Sequence, residues 1–95
     1  MEVDFHPDAT IELAESADWY AEHSSRAARD FLVAVDVAIA SIVGDPRRFV
    51  QIDDRHQSCS VIRFPFQVVY RVGDDRIVVV AIAHAKRRPG YWRAR

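Results

Sequence analysis

Residues 63–95 read RFPFQVVYRVGDDRIVVVAIAHAKRRPGYWRAR, and this stretch decides the architecture. From Gln67 to Val72 the chain alternates, with Val68, Tyr70 and Val72 on one face and Gln67, Val69 and Arg71 on the other, as a strand requires. Gly73-Asp74-Asp75 supplies a turn, because glycine and aspartate reach the backbone angles and local hydrogen bonds a reversal needs. Ile77 to Ala83 is then apolar at every position, the pattern of a central strand covered on both faces. Pro65 lacks a donor and fits a strand start or edge. Directly after the apolar strand come His84, the cations Lys86, Arg87 and Arg88, and the aromatics Tyr91 and Trp92. Cations held just behind a rigid strand have little freedom, and arginine's planar fork suits phosphate bidentately. The aromatics can stack on a base or pack on the scaffold. His84 has the chemistry to exchange protons near neutral pH.

Upstream, Val3 and Phe5 alternate with Glu2 and Asp4 and predict a short opening strand. Pro7 suits a first helical turn, and Ala9, Leu13, Ala17 and Tyr20 recur at helical spacing to about His23. Ser24 or Ser25 caps a second helix with the stripe Ala28, Phe31, Leu32, Val35, Ala38, Ile39 and Ile42. Gly44 and Asp45-Pro46 end it. So short a junction predicts an antiparallel helical hairpin. Arg47 to His56 reads as a loop and Gln57 to Ile62 as a strand. The expectation is a single α+β domain over residues 1–95, with a short N-terminal strand and a helical hairpin packed on a small, mainly antiparallel sheet. A hairpin covers one sheet face. The other is left to the C-terminal tail through Tyr91 and Trp92, to a second subunit or to a partner chain.

The charge is asymmetric. Residues 1–45 carry ten acidic side chains against two arginines, a net −8, while residues 46–95 carry eleven bases against four aspartates, a net +7. Either the halves complement each other within the fold, or the basic half receives an anionic partner. The lone Cys59 excludes an intramolecular disulfide and reads as a small buried hydrophobe. His6, His23, His56 and His84 lack ligand spacing, so no metal is assigned, and no phosphate loop or dinucleotide motif indicates a cofactor. No apolar run reaches the ~18 residues of a membrane span. A soluble cytoplasmic domain is expected.

Across nearly the whole chain the sequence resembles the RelE/ParE superfamily of type II toxins. The resembling residues are Phe5-His6-Pro7 with Ala9 and Glu12-Leu13, Trp19-Tyr20, Phe31, the Asp45-Pro46 helix stop, and Arg63-Phe64-Pro65-Phe66. Val69-Tyr70-Arg71-Val72 and His84 followed by Arg87, Pro89 and Trp92 complete the pattern. The resemblance implies a growth-arresting toxin on a helical-hairpin and sheet scaffold, with a cognate antitoxin protein as partner.

It also implies a choice of mechanism. RelE-like members cut mRNA on the ribosome with basic residues on the central strands and a C-terminal arginine and tyrosine. Here Ser58, Cys59 and Ser60 stand where those members carry lysines, and Gln67 stands in place of an arginine. Arg87 and Tyr91, with His84 as a further candidate, are what remains of a catalytic set. ParE-like members act instead on DNA gyrase, and the Arg63-to-Phe66 turn, Trp19-Tyr20 and the tail are similar to that branch. On this favoured reading Lys86, Arg87, Arg88 and Trp92 contact the target, and Arg63, Pro65, Tyr70, Trp19 and Tyr20 form turn and scaffold, with no enzymatic role. The alternatives are a ribosome-dependent mRNA endonuclease and a degenerate, non-toxic binding module.

Overall fold

The computed structural model describes residues 1–95. The chain runs β1 (Glu2–Phe5), α1 (Pro7–His23), α2 (Ser25–Gly44), β2 (Val50–Gln51), β3 (Gln57–Ser60), β4 (Phe66–Val72) and β5 (Arg76–His84). The strands form one sheet in the order β1-β5-β4-β3-β2. β2 to β5 are antiparallel in sequence, and β1 pairs parallel to β5. The helices pack on one face, giving the expected α+β architecture.

The helices begin and end where their chemistry dictates. The His6 imidazole accepts from the Asp8 amide at 3.1 Å, and Pro7 occupies the first turn, where its missing N–H costs nothing. Ser24 serves both helices: its amide closes α1 on the Tyr20 carbonyl, and its hydroxyl accepts from the Ala27 amide at 3.2 Å. A one-residue joint of this kind forces the antiparallel hairpin. Phe31, Val35, Ala38 and Ile42 carry the buried stripe of α2. Leu32, expected in that stripe, is instead exposed, because it falls one position off the face that meets the sheet.

Two details of the sheet depart from the sequence reading. The segment read as a loop contains β2, a two-residue strand pairing Val50 with Ser58 and Gln51 with Gln57. The strand expected to reach Ile62 ends at Ser60, where the chain turns through Arg63 at φ 72°. A left-handed backbone is costly for a residue with a Cβ.

The register of β4 against β5 slips at Val69/Tyr70: Val69 faces Ala81, whereas Tyr70 faces Val79. The extra residue places Val80 and Ala81 together on the second sheet face and returns Ile82 to the helical face, where Ile77 and Val79 already lie. The fully apolar run of β5 thus serves two cores. The helical-side core holds Phe31, Val68, Tyr70 and Ile82, with Tyr70 also donating to the Pro46 carbonyl at 2.5 Å. On the other face Trp92 lies over Val69, Val80, Ala81 and Ala83, with Tyr91 beside it. The alanines leave room for the indole. Self-coverage by the tail is therefore the arrangement of the second face.

Candidate functional site

Glu12, Glu15, Ser16 and Trp19 follow at i, i+3, i+4 and i+7, so they share one face of α1. That face stands opposite the outer edge of β5, which β1 leaves uncovered because β1 ends at Phe5, opposite Val79. Between them lies a groove of about 650 Å³. Tyr20, Pro65, Phe66 and Ile82 contribute its apolar surface, and His84, Lys86 and Arg87 form the opposite rim.

The rim is set by an unusual connection at the bulge. Glu12 accepts from the Ile82 amide at 3.1 Å, from the Tyr91 hydroxyl at 2.7 Å, and from Arg95 at 2.8 and 3.0 Å. Arg95 also donates to the Val80 carbonyl at 3.1 Å. One carboxylate and one guanidinium thereby satisfy edge groups that have no strand partner. Burial, then the hydrogen bond to Glu12, push the Tyr91 phenol well above its usual range, and the Glu12 bond holds Arg95 more firmly protonated still. Arg87 lies 4.0 Å over the Tyr91 ring, a cation–π contact that fixes the tail beside the groove.

A second set of contacts anchors the far side of the tail. His56 is buried, 2% exposed, and packs against Trp92 with the ring centroids 4.6 Å apart and the planes tilted by 59°. Its Nδ1 meets the Asp53 carboxylate at 2.9 and 3.0 Å, and Arg71 donates toward its Nε2 at 3.3 Å. Arg71 also donates to the Arg95 carbonyl at 2.9 Å. Burial raises the Asp53 carboxyl, but hydrogen bonds from Arg55 and His56 outweigh it and hold the group well below the ordinary carboxylate range. Gly90, at φ 78°, permits the turn that returns Trp92 to the sheet.

The fold separates the expected site residues. Lys86, Arg87 and His84 meet at the groove with Trp19, Tyr20 and Pro65. Arg88 is exposed and lies outside it, beside Pro89 on the other side of the tail. Arg63 sits at the exposed tip of the β3–β4 turn and Tyr70 in the core. Two expectations need correction. Trp92, expected as a target contact, is 5% exposed and belongs to the core of the second face. Trp19, expected as scaffold, is 56% exposed and contributes a groove wall, with its ring edge-on to Tyr20. Cys59 is buried as expected, and burial raises its thiol pKa.

The acidic and basic halves do complement each other in part. Arg76 pairs with Glu2 and Asp4, and Arg95 with Asp8 and Glu12. Lys86, Arg87 and Arg88 join none of these ion pairs. Sequence reasoning missed Glu12, Glu15 and Ser16; their spacing with Trp19 was the available signal. It also missed the Asp53–His56 contact, which a loop assignment cannot reveal.

No group of three or more His, Cys, Asp or Glu side chains is arranged to hold a metal ion, and no helix is long and apolar enough to cross a membrane. No curated protein matches the sequence. Among solved structures, the chromosomal ParDE TA system from P. aeruginosa superposes with a TM-score of 0.69 at 18% identity, covering 90% of this chain and 97% of that one. That likeness concerns the fold. The sequence itself matches the family described as ParE toxin of type II toxin-antitoxin system, parDE, over residues 3–89. The chain belongs to the ParE toxin family of type II toxin–antitoxin systems.

Proposed function

We propose that this toxin arrests growth in the cytoplasm by binding DNA gyrase through the α1–β5 groove, and that a cognate antitoxin protein neutralises it. The observation that carries the reading is the juxtaposition of exposed Trp19 with the unpaired cations Lys86 and Arg87 along one groove. Aromatic and cationic side chains are the usual anchors of a protein contact. Family membership supports an antitoxin partner, and gyrase as the target follows from the resemblance to ParE-like members.

The state of Tyr91 supports binding over RNA cleavage. Its hydroxyl donates to Glu12 and its pKa is pushed upward, so it is poorly placed to move a proton near neutral pH. Arg87 is spread over the Tyr91 ring. Ser58 and Gln67 stand near the tail where charge would be aimed at a scissile phosphate.

Supercoiling by purified gyrase, measured with and without the toxin, tests the proposal. Inhibition that disappears in a Lys86→Glu/Arg87→Glu variant supports it. Intact supercoiling, with ribosome-dependent mRNA cuts that depend on Arg87, replaces it with the nuclease mechanism. Growth unaffected by expression of the toxin alone assigns the chain to the non-toxic binding modules.

A further inference from the structure

The groove's two walls carry opposite charge, and this restricts what can occupy it. On the α1 wall, Arg95 neutralises Glu12, but Glu15 is exposed and has no cationic partner. On the opposite wall, Lys86 and Arg87 are exposed and have no anionic partner. The apolar surface of Tyr20, Pro65, Phe66 and Ile82 lies in the same groove, and Trp19 lines it on the acidic side.

A nucleic-acid strand fits this arrangement badly. It presents charge at every phosphate, so whichever end reaches Lys86 and Arg87, neighbouring phosphates approach Glu15. A protein segment can carry one carboxylate toward the cations and an aliphatic or aromatic side chain over the apolar surface. The volume, about 650 Å³, suits a few side chains.

The strand edge adds a main-chain feature. Beyond Val79, β5 has no neighbour on its outer side; Arg95 takes the Val80 carbonyl and Glu12 the Ile82 amide. The Ala85 amide, in contrast, donates inward to the Pro65 carbonyl at 2.8 Å. Alternation along a strand therefore turns the His84 amide to the same outer side as that of Ile82, into the groove. An outward-facing amide is a ready donor for a peptide carbonyl.

We infer that the α1–β5 groove receives a short acidic segment of the protein target, with a carboxylate on Lys86 and Arg87 and an apolar anchor beside Trp19, on the surface of Tyr20, Phe66 and Ile82. The inference rests on the reading of this groove as the target contact and specifies its chemistry: the contact is to polypeptide and not to the DNA that gyrase holds.

The test uses the full chain and a displayed library of random dodecapeptides, selected in parallel on the wild type and on Lys86→Glu/Arg87→Glu. Both substituted side chains are exposed, and circular dichroism confirms that the variant keeps its fold. Selected peptides are expected to pair Asp or Glu with Leu, Phe or Trp. As labelled synthetic peptides they are expected to bind the double variant roughly tenfold more weakly, and Trp19→Ala roughly thirtyfold more weakly. A 20-base-pair duplex is expected not to displace them. Failure to enrich acidic peptides over the double variant overturns the inference, as does enrichment of basic ones. Duplex binding that depends on Lys86 and Arg87 also overturns it. Supercoiling is assayed on the same samples: inhibition without peptide selection leaves the gyrase reading standing and removes only this inference. Peptide selection without inhibition removes the gyrase reading and leaves the polypeptide-binding groove.

Discussion

Replacing Glu12 by alanine tests how the tail is held. The substitution removes the acceptor of four hydrogen bonds: one from the Ile82 amide, one from the Tyr91 hydroxyl and two from the bidentate Arg95 guanidinium. The Glu12 and Arg95 side chains are 12% and 15% exposed, so the pair is largely withdrawn from water. Breaking a buried ion pair from one side costs about 3–5 kcal/mol, because the remaining charge is left uncompensated. Arg95 keeps the Val80 carbonyl and some solvent, which places the expected cost near the lower end, about 3 kcal/mol. A domain of this size has a total stability of about 5–15 kcal/mol, so the melting temperature falls by roughly 10–20 °C. Urea denaturation followed by circular dichroism measures the cost, and Trp92 emission shifts to the red as the tail loosens. In a double-mutant cycle with Arg95→Ala the two losses are strongly non-additive, since each removes the same interaction. A Glu12→Ala cost below about 0.5 kcal/mol, or strict additivity with Arg95→Ala, refutes the assignment of Glu12 as the tail anchor.

The two tryptophans give opposite results. Trp92→Ala empties the second core and destabilises by about 3–5 kcal/mol, whereas Trp19→Ala, at an exposed position, changes stability by less than about 0.5 kcal/mol yet weakens target binding. Thermal melts combined with a supercoiling assay separate them. Asp53 has a pKa depressed by folding, so its contribution is complete above the unfolded value of about 3.9 and is lost as pH falls through and below it. Acid titration of stability in Asp53→Asn shows a shallower decline below about pH 5 than the wild type, from a lower plateau. Arg63→Gly relieves the left-handed backbone at φ 72° and is expected to raise stability by about 0.5–1 kcal/mol, read from the urea midpoint.

The fold was largely legible because its signals are local. Ser24, Pro7 and the Phe31-to-Ile42 stripe define the hairpin, and Gly73-Asp74-Asp75 defines the turn between β4 and β5. The parallel pairing of β1 was not legible, since Val3 and Phe5 reveal a strand but not its neighbour. The β5 bulge was hidden for a related reason: where every residue from Ile77 to Ala83 is apolar, a slip in alternation leaves no trace. Trp92 and Trp19 exchanged their expected positions because exposure depends on tertiary packing. Ala81 and Ala83 open a seat for Trp92, while the spacing of Trp19 with Glu12 and Ser16 turns it away from the α1 core face. The basic run was visible in sequence, but only the fold distinguishes Arg95, committed to Glu12, from Lys86 and Arg87, which remain unpaired at the groove.

The proposed mode of action of this toxin is contact through the α1–β5 groove. Its most direct measurement is inhibition of purified gyrase by wild-type toxin and by the folded Lys86→Glu/Arg87→Glu variant, across a concentration series. Action through the groove predicts inhibition by the wild type and at least a roughly tenfold higher requirement for the variant. Equal inhibition by both proteins, or none by the wild type alongside mRNA cleavage on ribosomes, contradicts it.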